Sequence, residues 1–534
     1  MKTSFSSLFL LMVTAATLSA QVSWVPTGVR YTEDATDVPS LGKTLDLGGW
    51  RGETVMAQIA VPGVPGGSDE PFFGTPAEGG KSILRPSARQ AAAAENFRIA
   101  VRGSLPEAGF EIGHLGYVIA DGLNPDGSGC GHRPDHNLFD SLTVADWIRV
   151  PEEPIFPYRP AGKTGFLWVE YRIPEDMAPG RYRADLDFLR NGRKIATLRL
   201  NLRVADRTLP PAPQWKFHLD LWQNPYAVAR AEGVPLWSEA HFEAMRPLMQ
   251  RLARAGQKVI TATLCDRPWD GQTEDEFKSM IRWTRRVDGS WDFGFEVFDQ
   301  WVEFMESCGI DRQINCYSMV PWAMKFKYFD LASNDVRFIT GGPGDAAYDE
   351  AWTALLKAFA AHLREKGWMD KVCIAMDERP METVHRAMEL VRRADPAFKF
   401  STQGYFHPEI EPMIHDYCVT YDGAFPADVL ARRKAEGKVS TYYTCCTEGH
   451  PNTFTFSAPS EAADLPLEMV ARGSDGYLRW AYNSWTASPF TDSRFRTWAS
   501  GDCYLVYPGD LSSVRFEKLF EGIQQAVKLT AVQD

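Results

Sequence analysis

The chain contains no C-x-x-C pair, and its ten histidines fall at no metal-ligand spacing, so a zinc site has no ligand set to draw on. Basic tracts are missing as well. With 57 Lys and Arg against 69 Asp and Glu, the net charge is −12, which argues against a nucleic-acid partner. No repeat of solenoid period runs through the sequence. The apolar run at residues 8–20 (LFLLMVTAATLSA) is too short to span a bilayer, and no other stretch approaches that length. It follows Lys2 and ends in Ser19-Ala20 before Gln21, which is the pattern of a secretory signal. A lipoprotein would need cysteine where Gln21 stands. The expectation is an exported protein, periplasmic or secreted after signal-peptide cleavage, with no membrane insertion thereafter.

All nine cysteines lie beyond that segment, and most sit inside apolar strand patterns. Buried free thiols are the expectation, with a disulfide involving Cys130, in the loop GSGCGHRPDH, left open. Aromatics make up 12% of the chain, including 17 Trp and 18 Tyr. Such rings suit sugar stacking, although most rings in any protein are core. A length of 534 residues exceeds one ordinary core, so two or more domains are expected.

Residues 21–210 have the texture of a β-sandwich. Short alternating runs such as 54–61 (TVMAQIAV), 97–101 (FRIAV), 165–171 (GFLWVEY) and 181–188 (RYRADLDF) are separated by Gly, Pro and Asp turns. Asn191-Gly192 between 181–188 and 194–204 is a hairpin signal. Residues 70–94, rich in Gly, Pro, Ser and Ala, read as a loop. The proline-rich stretch 209–213 (LPPAP) sets the expected boundary. From there the rhythm over 214–534 alternates strand and helix. Strands are expected at 216–222, 258–265, 313–320, 371–377, 399–404, 417–421, 438–445 and 476–483. Helices are expected at 239–255, 296–307, 349–366, 381–394, 426–435 and 462–472. Eight such strands predict a (β/α)8 barrel, making the chain a multidomain α/β plus all-β protein. A hairpin is expected at 282–295, a long loop at 322–347, a further strand at 503–507 and a closing amphipathic helix at 512–532.

Residues 371–380 (KVCIAMDERP) carry the sharpest signal. A run apolar on both faces ends in Asp377 and Glu378, where barrel active sites lie. Two acids at a strand's last turn can divide roles, one moving a proton and the other stabilising positive charge. The alternative is structural, with Asp377 capping the next helix and Glu378 pairing Arg379. At other strand ends, Trp480, Tyr482, Asn483 and Trp485 offer an aromatic floor with one amide, and Asn483 and Trp485 are placed closest to the mouth. Asp220, Trp222 and Asn224 end the first strand. Trp269 can wall the cleft, while Asp266, Gln403, Tyr405 and Asp422 are as readily structural. Arg515 and Glu517 read as a structural pair.

The segment CIAMDERP, the stretches FHLDLWQNPYAVAR (217–230) and GYLRWAYNSW (476–485), and the tail GDCYLVYPG (501–509) followed by SVRFE (513–517) together resemble glycoside hydrolase family 123. The resemblance spreads in order over about residues 215–520, and the upstream sandwich matches the family's layout. It implies a β-N-acetylgalactosaminidase with retaining, substrate-assisted chemistry through an oxazolinium intermediate, acting on a glycan or glycoconjugate without metal or organic cofactor. By matching motif, Asp377 would hold the acetamido N–H and Glu378 would serve as general acid and base. Tyr443 would donate to the acetamido carbonyl, or else pack between strand and helix. By position rather than by motif, Asp220, Trp222, Trp480, Asn483 and Trp485 are the candidates to contact the sugar, with Asp220 alternatively capping the turn before Pro225 and some of the eighth-strand residues serving packing. Two other readings stay open. One is a glycosidase for plain hexosides with a third carboxylate (Asp220, Asp266 or Asp422) as nucleophile. The other is a catalytically silent carbohydrate-binding protein.

Overall fold

The computed structural model describes residues 21–68, 95–131, 133 and 135–533. The expected leader and the loop at 70–94 lie outside these residues.

The N-terminal region is a sandwich of two sheets. One has the order Ser23–Val25, Thr54–Pro62, Thr164–Arg172, Phe110–Ala120, Leu142–Arg149 and Ser512–Ser513. The other has the order Thr44–Arg51, Arg193–Thr208, Gly180–Arg190, Asn96–Gly103 and Ile155–Pro157. Alternation drives the packing: Leu198, Leu200, Leu202 and Val204 all face the core between the sheets. The Asn191-Gly192 turn has φ of 50° and 74°, the left-handed pair that a two-residue hairpin needs.

Strand Thr54–Pro62 is buried on both faces, for a reason its sequence shows only in part. Val55, Ala57, Ile59 and Val61 enter the sandwich core, whereas Met56 and Ala60 join a second core shared with the barrel. The helix Val514–Gln533 lies along this seam. The Gln524 side chain bonds both the backbone N–H and C=O of Thr54, at 2.8 and 3.0 Å. Arg515 does not pair with Glu517. Its guanidinium reaches across to Asp146 of the sandwich at 3.0 Å, while Glu517 takes Arg251 and Arg254.

The second region is a barrel of eight parallel strands: His218–Leu221, Val259–Thr263, Gln313–Tyr317, Val372–Met376, Lys399–Gly404, Asp416–Thr420, Val439–Tyr443 and Gly476–Arg479. Ladders run from the second strand round to the eighth and on to the first. Between the first and second strands a single bridge, Leu219 to Gln257, nearly closes the ring. Two glutamine side chains stand in for the missing ladder. Gln257 Oε1 accepts from Leu221 N and Gln223 Oε1 accepts from Thr261 N, both at 2.9 Å. The barrel interior is polar at one level, where Asp416 accepts from Gln313, Asn315 and Ser401.

Three elements differ from expectation. Residues 503–507 are buried but make only isolated bridges, Asn483 to Tyr504 and Tyr507 to Leu511, so they are not a strand. The stretch 322–347 holds a second hairpin, Lys325–Asp330 with Asp335–Thr340, which joins the expected hairpin Arg282–Arg285/Trp291–Gly294 in a four-stranded sheet. A helix at Pro225–Glu232 follows the first barrel strand, with Asn224 capping the N–H groups of Tyr226 and Ala227 and Gly233 ending it in the left-handed region.

Candidate active site

Each barrel strand delivers its last side chains to one rim, and the fourth strand delivers the two acids. Val372–Met376 is wholly buried, and Thr402 Oγ1 pins its end by donating to Met376 O at 3.0 Å. Beyond Met376 the chain leaves the ladder, and Pro380 starts the helix Met381–Ala394. Asp377 and Glu378 therefore open the four-residue connection 377–380, from which both can reach the mouth.

Asp377 is half-buried and surrounded by neutral donors. Trp269 Nε1 donates to Oδ2 at 3.0 Å, the Glu378 backbone N–H donates to Oδ1 at 2.9 Å, and the Trp322 side chain also favours the charged carboxylate. Burial first, and the neighbouring Glu378 second, push its carboxyl up to about 6, against the pull of those three groups. Glu378 is exposed, and Tyr443 from the end of the seventh strand donates its hydroxyl to Glu378 Oε1. Burial and that carboxylate hold the Tyr443 phenol well above its ordinary range, so it stays a donor. Gly404 ends the fifth strand at φ +136°, a conformation hostile to a side chain, and a Cβ there would come within 3.4 Å of Glu378 Cγ.

Aromatic rings form the walls. Trp222 and Trp269 lie 5.0 Å apart, and each contacts the buried Tyr317, at 4.7 and 5.1 Å. Trp480 faces Trp498 and donates to Asp502 at 3.3 Å. Asp502 is itself held by Arg479 at 2.6 Å. Trp322 lies under the Arg379 guanidinium, 4.9 Å from it. Trp222, Trp269, Trp322, Trp480, Trp498 and Asp502, together with the two acids, Tyr443, Gln403 and Cys446, line a pocket of about 140 Å³. A larger cavity, about 930 Å³, lies between sandwich and barrel near Glu170 and Arg251 and holds neither acid of the pair.

The structure thus gathers Asp377, Glu378, Tyr443, Trp222 and Trp480 into one pocket. It places three other candidates elsewhere. Asn483 is fully buried in a reciprocal pair with the Asn224 backbone, at 2.9 and 2.8 Å. Trp485 is buried with its indole N–H on Val506 O at 2.7 Å. The eighth strand ends at Arg479, so both residues belong to the turn beyond the mouth. Asp220 lies inside the barrel, two residues back from Trp222, and burial followed by the charge of Asp416 raises its carboxyl well above the usual range. Asp266 is engaged by Ser279 N and Lys327, and Asp422 is exposed away from the pocket. Sequence reasoning missed Trp322, Trp498 and Asp502. All three sit on loops, where no periodicity marks them.

The sandwich also reaches the rim. Cys130, on the loop between Phe110–Ala120 and Leu142–Arg149, forms a disulfide with Cys446, which lines the pocket. Gly129 N donates to Cys446 O at 2.6 Å, and Ala499 N donates to Gly129 O at 2.9 Å. The other seven cysteines are free, as expected, and six of them are buried.

Residues 222–532 match the family model for the glycoside hydrolase 123 catalytic domain, and residues 91–189 match that for the glycoside hydrolase 123 N-terminal domain. Among solved structures, a family 123 glycoside hydrolase from Clostridium perfringens, studied for glycolipid glycan hydrolysis, is similar with a TM-score of 0.81 at 23% identity, over 96% of this chain and 88% of that one. A Bacteroides ovatus GH5 xyloglucanase aligns over 91% of this chain and 98% of its own at 10% identity, with a TM-score of 0.32. No curated protein matches.

Proposed function

The chain belongs to glycoside hydrolase family 123, and from that premise we propose that it removes β-linked N-acetylgalactosamine from glycolipid glycans by a retaining, substrate-assisted mechanism. The observation that carries this reading is the company Asp377 keeps. Neutral N–H donors hold it beside a second carboxylate, and neither Asp220, Asp266 nor Asp422 lines the pocket to act as nucleophile. Asp502 lines it but is committed to Arg479 and Trp480. A nucleophile supplied by the sugar's own acetamido group fits such a site.

In the first step the acetamido oxygen bonds to the anomeric carbon as the bond to the leaving oxygen breaks. Glu378 gives its proton to that oxygen. The acetamido N–H becomes strongly acidic as the oxazolinium forms, and the Asp377 carboxylate accepts a hydrogen bond from it and balances its charge. In the second step Glu378 takes a proton from water, which adds to the anomeric carbon and releases the acetamido oxygen. Two displacements retain configuration. Tyr443 fixes the Glu378 carboxyl by one oxygen and leaves the other for proton transfer. Trp222, Trp269 and Trp480 offer faces for the sugar. The C. perfringens relative is described for glycolipid glycan hydrolysis, and the same substrate class is proposed here. Export is part of the proposal, and the Cys130–Cys446 disulfide supports it, since such bonds persist in oxidising compartments.

The test compares aryl β-N-acetylgalactosaminide with aryl β-galactoside. Hydrolysis of the first alone, with inhibition by a thiazoline analogue, is expected. Comparable rates on both without thiazoline inhibition would overturn substrate assistance.

A further inference from the structure

The hairpin Lys325–Asp330/Asp335–Thr340 has two unlike faces. Its register pairs Phe326 with Ile339, Lys327 with Phe338 and Phe329 with Val336. Phe326 and Ile339 are buried, with Phe326 packed on Tyr348 and Trp352. The opposite face presents Lys325, Lys327, Phe329, Val336 and Phe338 to solvent. Phe329, Val336 and Phe338 are 37%, 42% and 47% exposed, and Leu331 at the turn is 45% exposed. Asp335–Thr340 is also the edge of its sheet. Edge hairpins facing water usually carry polar residues on the solvent side, which prevents association. Here that side is apolar and cationic in a chain of net charge −12. The hairpin's own acids, Asp330 and Asp335, share the parity of the buried face. The Lys325 ammonium lies 4.0 Å over the Phe338 ring, and Lys327 reaches Asp266 at 2.9 Å.

The hairpin begins three residues after Trp322, which lines the pocket and whose backbone N–H bonds Pro268 O at 3.0 Å. Three residues span at most about 11 Å. The Lys325 end of the hairpin face therefore lies close to the pocket lining.

We propose that this face docks the protein on a lipid bilayer bearing anionic headgroups, so that a membrane-anchored glycan meets the pocket without leaving its membrane. The inference rests on the reading of the site as a glycolipid glycosidase. Phe329, Val336, Phe338 and Leu331 enter the headgroup boundary, and Lys325 stays at the charged level with its stem among them. The attraction of anionic lipid for each such lysine amounts to about a fivefold gain in binding.

Full-length protein is sedimented with phosphatidylcholine vesicles, with and without phosphatidylglycerol. It is expected to pellet with vesicles, more so with phosphatidylglycerol, and less as salt rises. Replacing Phe329 and Phe338 together by Ser is expected to weaken vesicle binding by about tenfold or more. Turnover of aryl β-N-acetylgalactosaminide should be unchanged, while turnover of a glycolipid carried in the vesicles falls with binding. If the double variant fails to fold, Lys325→Glu should still reduce the phosphatidylglycerol dependence by about fivefold or more. Wild-type protein that does not pellet, or variants that pellet equally well, would overturn the docking surface even if the aryl substrate is cleaved. A concentration-dependent dimer abolished by the double variant, without vesicle binding, would also overturn it and assign the face to a second copy. Vesicle binding without aryl β-N-acetylgalactosaminide hydrolysis would instead count against the reading of the site.

Discussion

Two carboxylates withdrawn from water, Asp146 at the seam between the domains and Asp377 at the barrel mouth, are treated in opposite ways. Asp146 is fully buried and receives Arg515 at 3.0 Å, Arg30 at 3.0 Å and the Tyr507 hydroxyl at 2.7 Å. Burial alone would raise its carboxyl, but the two guanidiniums outweigh that and hold it below the ordinary range. Among the described residues, no cation pairs with Asp377. Burial and Glu378 push it up to about 6. Where an acid only joins two domains, the fold supplies the counter-charge. At the mouth it supplies none, and on the mechanism proposed above the counter-charge comes from the substrate as positive charge develops there. A half-buried acid left without a counter-charge is the costlier arrangement, which argues for use rather than support.

The largest test of this contrast concerns Glu378, the acid proposed to move a proton. Glu378→Gln should lower kcat/KM by about 10³-fold on aryl glycosides with poor leaving groups and by far less on activated ones. An equal fall on both would place proton transfer elsewhere. Next, Asp146→Asn leaves Arg30 and Arg515 buried together without their anion, and should cost about 3–5 kcal/mol, read as a lower urea midpoint. Turnover per folded molecule should not change. A stable variant with impaired turnover would erase the distinction between the two acids. The smallest effect is expected at Asp377. Asp377→Asn should slow acetamido substrates by about 10²-fold and yet raise stability. The sign follows from the raised carboxyl, because the folded state holds this proton more tightly than the unfolded chain. The resulting stabilisation is complete below pH 3.8 and lost as pH rises through about 6. The variant should therefore gain up to about 3 kcal/mol on wild type at pH 8 and nothing at pH 3, by urea titration at each pH. A variant less stable at pH 8 would show that the Trp269 and Glu378 N–H bonds matter more than the buried charge.

Much of the barrel was legible because each of its strands is a short apolar run with turn residues after it, and because the runs alternate with helical stretches. The alternation of 193–208 and the Asn-Gly turn identified the sandwich hairpin in the same way. Local pattern fails where tertiary placement decides. Residues 503–507 have a strand's composition but bury themselves against Asn483 and Leu511 without a ladder. Asn483 and Trp485 looked like mouth residues because the eighth strand was read four residues too long, which carries the chain past the rim. Trp322, Trp498 and Asp502 reach the pocket from loops. Cys130 meets Cys446 across 316 residues, a distance that no spacing rule covers. The Asp377-Glu378 pair was conspicuous for the opposite reason: it breaks an apolar run at the one end of a strand where polar groups have somewhere to go.

The seam has a consequence for the order in which the molecule is made. Ser512 and Ser513 complete the N-terminal sheet by pairing with Ile148 and Trp147, and Gln524 caps Thr54 from 470 residues away. A ribosome releases the sandwich strands first, yet their outer face, with Met56, Ala60 and Trp168, finds its cover only after the whole barrel has followed. Contacts so distant in sequence form slowly. The domain synthesised first is therefore the last to be finished, and the apolar back of its sheet must be kept from other chains until the closing helix arrives.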